Sequence, residues 1–350
     1  MTQRNQSLDL LRGAAVLLVV ASHCASGATG AVAGLTALAM DYGQLGVQLF
    51  FIVSGYTMML TFGDKIDSAA VRSFYVRRVF RIVPLFWIAI VFYLLLTGGE
   101  GFRIWAAPNG VSAGDVVLTF LFLHWSSVTA FNSVVPGGWS IAVEMQFYLL
   151  FPLLIQLFRR SNGPLLVYGL IALTSVVGHF AADHYLIPRL PQSLPRGVAQ
   201  LTEAFYYCWL PRQAICFGFG ILLYDLVELK NRPKLGALLL LGASLFTAWG
   251  AQVALLFALA YAILATSATL SILGLLGRHS YAIYLVHFAV VAAITTLFPL
   301  GFVPLFVLAS AVSLALSYYL IEPLIERRFN RLGHGLASQL GQPKAVVTNA

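Results

Sequence analysis

Apolar runs follow one another almost from end to end of the chain, broken by short polar loops. A helix needs about 20 mostly apolar residues to cross the hydrocarbon core of a bilayer. On that measure the pattern predicts ten spans, at 8–27, 43–62, 80–97, 139–158, 164–180, 205–227, 235–249, 252–272, 280–298 and 302–321. One further apolar stretch, 116–125, is too short to cross and is expected to lie on or dip into the outer leaflet. The first run follows Arg4 and Arg12, and 21–28 is rich in small residues, as before a signal-peptidase site. His23 inside the run, and the many spans after it, argue for a retained first helix.

Charge orients these spans. With 116–125 left uncrossed, seventeen Lys and Arg residues, from Arg4 to Lys344, fall on one side, and only Arg103, Arg189 and Arg196 on the other. Basic residues gather in short cytoplasmic loops. Counting 116–125 as a span would destroy the asymmetry. The expected fold class is therefore all-α: a polytopic transmembrane helical bundle of ten spans, both termini cytoplasmic, set in the cell inner membrane. Residues 1–329 form one membrane domain. Residues 330–350, polar and glycine-containing, read as a disordered cytoplasmic tail.

Composition agrees. The 350 residues are 59% hydrophobic and 10% charged, against roughly 45–50% and 25% in soluble domains. That excludes an ordinary soluble enzyme and a disordered chain. The net charge of +8 follows from the positive cytoplasmic loops, so no nucleic-acid partner is expected. Cys24, Cys208 and Cys216 sit in apolar runs without metal-ligand spacing, so neither a disulfide nor a metal is expected.

Four ionisable residues fall inside spans: His23, Glu144, Arg212 and His287. Such groups are costly in a membrane and pair or line cavities. Arg12 and His23 are 11 residues apart, close to three helical turns. They share a face, with His23 about 16 Å deeper, and Asp9 is placed to pair with Arg12. His287 lies nine residues beyond Arg278, about 14 Å in, one turn from Tyr284. Glu144 has Ser140 on its face four residues earlier, next to Trp139. Each has a plainer reading: histidines satisfied by neighbouring helices or a tyrosine, and a Glu144–Arg212 ion pair. Arg77, Arg78 and Arg81 are helix neighbours suited to bind phosphates or anionic membrane lipids.

Six ordered blocks resemble the acyltransferase 3 family of integral membrane acyltransferases over residues 7 to 329. They are Leu8-Asp9-Leu10-Leu11-Arg12-Gly13 followed by His23, Gly46–Tyr56, Arg77–Pro84, Trp139-Ser140-Ile141-Ala142-Val143-Glu144, Ser280–His287, and Ile321-Glu322-Pro323. The resemblance implies transfer of an acyl group, commonly acetyl, from cytoplasmic acyl-CoA to a hydroxyl of a cell-surface or exported carbohydrate, or of a lipid-linked glycan. It assigns catalysis to His23, Arg12, Glu144 and His287, and donor binding to Arg77, Arg78 and Arg81. Substrate contacts fall to Ser140, Trp139, Arg212 and Tyr284. Acyl-CoA, expected as acetyl-CoA, enters as a donor substrate, with no permanently bound cofactor. Two departures matter. Gln48 stands where the family usually has an acidic residue, and Met145 replaces a second acidic residue after Glu144. With 350 residues the chain resembles the branch without an appended esterase-like domain. The competing readings are a transporter or flippase for a lipid-linked glycan, which would favour inverted repeats, and a structural partner in polysaccharide export.

Overall fold

The computed structural model describes residues 3–62, 66–101, 106–190, 194, 197–231, 233–247 and 249–341. Its long elements are all helical. In order they are α1 (Gln3–Gly27), α2 (Leu35–Tyr42), α3 (Leu45–Thr61), α4 (Ser68–Leu96), α5 (Ala113–Phe120), α6 (Gly138–Phe158), α7 (Gly163–Ala181) and the single turn α8 (Ile187–Arg189). Then come α9 (Leu201–Tyr207), α10 (Leu210–Val227), α11 (Lys234–Ser244), α12 (Gly250–Thr266), α13 (Ser271–Arg278), α14 (Ser280–Leu297), α15 (Phe302–Leu316) and α16 (Arg327–Gly341).

Among the described residues, seven helical stretches are long and apolar enough to cross a membrane. Two bent pairs, α2 with α3 and α12 with α13, raise the number to nine. The expected tenth span, 235–249, is realised as the 11-residue α11. Its rise is about 16 Å, against a core of about 30 Å. The hydroxyls of Ser244 and Thr247 turn back onto the carbonyls of Leu241 and Ser244, and the chain swings directly into α12. Such back-bonding competes with helix continuation.

Helix α4 starts twelve residues before the apolar run that announced it, because the Asp67 carboxylate caps it by accepting from the Ala70 amide at 2.7 Å. The 116–125 stretch holds α5, which opens on a reciprocal Ser112/Asp115 capping box. Its 8 residues rise only about 12 Å. Phe122, at φ 59°, then reverses the chain into a short turn at His124–Ser126, so the stretch does not cross.

Helix α1 runs against α3, α13, α14 and α15. Small residues let its backbone approach α13: a Cβ on Gly13 would lie 2.0 Å from the Leu273 carbonyl oxygen, and one on Gly277 1.7 Å from that of Asp9. That contact sets the α13–α14 turn beside Asp9 and Arg12. Trp87, Leu95, Leu153 and Leu173 point outward and are exposed, as lipid-facing side chains are.

The C-terminal segment departs from expectation. Where a disordered tail was expected from residue 330, α16 continues to Gly341 and packs on α4. Hydropathy misses it because its packed face is built of small residues, Gly333 and Ala337, beside Phe329. Residues 342–350 lie outside the described part.

Candidate active site

A cavity of about 90 Å³ lies where α1, α3, α4, α6 and α14 meet, with Arg12, Ser54, Thr57, Arg78, Arg81, Ser140, Glu144, Tyr148, Tyr281 and Tyr284 among its lining. Arg12 donates to Asp9 Oδ1 at 3.3 Å and to Thr57 Oγ1 at 3.1 Å. Glu144 accepts from Ser54 Oγ at 2.6 Å and from the Tyr148 hydroxyl. One carboxylate with two hydroxyl donors is satisfied without the second acidic residue that Met145 replaces. Ser140 Oγ and the Tyr284 hydroxyl are 2.8 Å apart, and each reaches the Gly137 carbonyl at 3.0 Å. Two protons thus serve three short contacts, which leaves one oxygen free to accept from a ligand. Gly137 makes this possible: its φ is +78°, and a Cβ there would lie 2.8 Å from the Tyr284 hydroxyl.

His23 and His287 do not line this cavity. Their rings lie 5.2 Å apart, each against Phe288. Tyr284 belongs to both groups, because it lines the cavity while its ring lies 5.8 Å from that of His287. His287 Nδ1 is 2.7 Å from the Tyr284 carbonyl oxygen. A carbonyl only accepts, so this contact assigns the proton to Nδ1 and leaves Nε2 with a bare lone pair. His287 Nε2 is buried with no hydrogen-bond partner among the described residues. His23, half-buried, makes no hydrogen bond among them either. His23 and the Nε2 of His287 therefore lack the satisfying partners that the plainer reading required, while His287 Nδ1 has one in the Tyr284 carbonyl.

A second cavity of about 670 Å³ adjoins the first and shares Arg78, Arg81, Ser280 and Tyr281 with it. Arg77 also lines it, with Arg278, His279, Glu322, Glu326, Arg327, Asn330, Arg331 and His334. The three arginines of α4 differ in environment. Arg78 is buried, donates to Thr61 Oγ1 at 3.2 Å, and lies over the rings of Tyr148 and Phe74. Arg77 donates to Ser73. Arg81 is exposed and has no hydrogen bond or ion pair among the described residues. Outside the spans, burial pushes His124 down to about 4; its Nε2 is 3.0 Å from the Gly138 carbonyl oxygen, at the start of α6.

Two sequence candidates lie elsewhere. Arg212 pairs with Asp183 at 3.1 Å, not with Glu144. That aspartate sits in a π-helical continuation of α7 beyond the expected end at 180. Trp139 is directed at Phe51 and Tyr207. Gln48, at the family's acidic position, donates to Gln213 Oε1 at 3.1 Å and so makes a neutral interior contact. Conversely, Ser54, Thr57, Tyr148 and Tyr281 line the cavity without having been singled out. Tyr148 was within reach, one turn after Glu144; hydroxyls on apolar helices otherwise give no pattern.

A bundle of apolar helices holding a polar chamber, two adjacent imidazoles and an adjoining basic cavity defines an integral membrane protein with an interior site. The acyltransferase domain family matches residues 5–322, and the chain belongs to that family. It is 27% identical over 330 residues to the peptidoglycan O-acetyltransferase OatA of Listeria monocytogenes, covering 83% of this chain and 50% of that one. It is 30% identical over 325 residues to the acyltransferase MdmB of Streptomyces mycarofaciens, covering 82% and 79%. To the O-acetyltransferase OatA of Staphylococcus aureus it is 24% identical over 363 residues, covering 92% and 57%. The chain thus spans about half the length of the two OatA proteins. No solved structure matches it significantly.

Proposed function

We propose that this protein is an O-acyltransferase that moves an acetyl group from acetyl-CoA to a hydroxyl of an exported or cell-surface carbohydrate. The observation that carries this reading is the pair of adjoining cavities. The larger, about 670 Å³, is within the usual 300–1,000 Å³ range of ligand pockets and lined by arginines suited to phosphates. The smaller, about 90 Å³, has room for a two-carbon acyl group.

In the reaction, His23 takes the proton of the acceptor hydroxyl as its oxygen attacks the thioester carbonyl. One hydroxyl of the Ser140/Tyr284 pair turns its proton from the Gly137 carbonyl to the oxyanion of the tetrahedral intermediate, while Arg12, about 16 Å from His23 along α1, holds the donor. The carbon–sulfur bond then breaks, the proton passes from His23 to the departing thiolate, and CoA and the ester leave. His287 positions His23 from behind, and Glu144 fixes Ser54 and Tyr148 around the donor. Arg212 and Trp139 have no part in this scheme, because neither lines the cavity and their contacts run to Asp183 and to Phe51 and Tyr207 instead of to the histidine pair behind Tyr284.

The same cavities support both termini on the cytoplasmic side. Arg77, Arg78 and Arg81 of α4 line one space with Arg278, Arg327 and Arg331, so these segments share a membrane face. An even number of crossings must separate the start of α4 from the start of α14, and that requires short α11 to count as a crossing. Reporters fused at Asn109 and at Asn231 then read opposite sides, periplasmic and cytoplasmic; the same side for both contradicts the topology. For the donor, purified protein in detergent is expected to bind acetyl-CoA and hydrolyse it slowly; absence of binding by folded protein contradicts the reading.

A further inference from the structure

Helix α16 presents a polar face that the reaction above leaves unused. Arg327, Asn330, Arg331 and His334 line the 670 Å³ cavity. They fall at i, i+3, i+4 and i+7, the spacing of one helical face. The face that packs on α4 carries Gly333, where a Cβ would lie 2.6 Å from the Phe80 Cβ, and buried Ala337. The charges differ in availability. Arg327 is held by Glu322 at 3.1 Å. Arg331 is exposed, with no hydrogen bond or ion pair among the described residues. Arg81 of α4 is in the same condition and lines the same cavity. Two guanidinium groups from different helices, neither held in a hydrogen bond or ion pair among the described residues, face one pocket-sized space in which Glu322 is taken by Arg327 and Glu326 lies near Arg81, and they form a site for a ligand with several phosphate groups.

We propose that α16 completes the donor site. Arg331 binds the phosphates of the CoA moiety together with Arg81, and Gly333 lets the helix approach α4 closely enough to do so. This rests on the acyl-CoA reading. The shared chemistry is a phosphate group, which an anionic lipid headgroup also offers, so the test must separate the two sources.

The test is CoA binding by the full chain in neutral detergent, followed by calorimetry, with bound phospholipid counted by mass spectrometry. The variants are Arg331→Ala, Arg331→Lys, Gly333→Val and Arg328→Ala. Arg328 lies on the same helix, does not line the cavity, and its loss changes the net charge equally. Arg331→Ala is expected to weaken CoA binding about tenfold or more, Arg331→Lys to restore part of it, and Arg328→Ala to change it less than about twofold. Gly333→Val weakens it with every charge kept. Arg331→Gln replaces the alanine variant if that fails to fold. If wild type binds CoA and Arg331→Ala binds as tightly as Arg328→Ala, the inference is overturned while the donor reading stands. Loss of bound phosphatidylglycerol with unchanged CoA affinity assigns Arg331 to lipid, which overturns it too. If folded wild type binds no CoA, the donor reading falls and the inference with it.

Discussion

Arg81→Ala separates donor binding from folding more cleanly than any other change in the site. The guanidinium lines both cavities yet makes no hydrogen bond or ion pair among the described residues, so its removal breaks no direct contact and takes only a favourable charge from near Glu326. A hydrogen bond from a charged group to a phosphate is worth about 1.5–3 kcal/mol, and 1.4 kcal/mol is tenfold in affinity. The variant is therefore expected to bind CoA about 10- to 150-fold more weakly with little change in melting temperature. Arg78→Ala should behave differently. That side chain is buried, stacked on Tyr148 and bonded to Thr61, so affinity and stability fall together. Arg81→Lys keeps the charge and loses the two-pronged fork, so it recovers only part of the affinity. Calorimetric titration with CoA in detergent, beside a thermal melt, reads both quantities. Wild-type affinity in folded Arg81→Ala would remove the phosphate role from this residue and leave it an anchor for lipid.

Gly137→Ala puts a side chain at a positive φ, which costs about 1–2 kcal/mol, and pushes a Cβ toward the Tyr284 hydroxyl 2.8 Å away. Both melting temperature and transfer rate should drop, and an unchanged rate would show that the Ser140/Tyr284 pair does not act on the reacting atoms. His124, pushed down to about 4 by burial, stays neutral in the folded protein while the unfolded chain takes up a proton near pH 6.5. Its contribution to stability is thus complete above about 6.5 and is lost as pH falls toward 4. His124→Phe, whose ring suits the stack against Phe86, should make the fall in melting temperature between pH 7 and 5 shallower, and an identical slope would refute the assignment.

The parts of the site legible in the sequence were those where an ionisable or hydroxyl side chain interrupted an apolar helix at helical spacing. Arg12, Ser140, Glu144 and Tyr284 line the cavity for that reason. The same rule misled at Arg212, because its partner Asp183 lies in a helical continuation that hydropathy ended at 180. Hydropathy also could not find α16, whose packed face uses glycine and alanine in place of leucine. Nor could a single helix disclose that the histidines stand behind Tyr284, since the ring contacts joining His23 to His287 and Tyr284 cross between α1 and α14. Nor did hydropathy show where α11 stops, because side-chain hydroxyls and not a loss of hydropathy end the helix.

The central claim is that His23 performs the proton transfer at the acyl-transfer site. The direct measurement is a single-turnover assay of radiolabelled acetyl-CoA with purified wild type and His23→Ala, in membranes that supply the acceptor carbohydrate. The account predicts label in the carbohydrate for wild type and none above background for His23→Ala, with CoA affinity and melting temperature retained. Transfer by His23→Ala at the wild-type rate would contradict it.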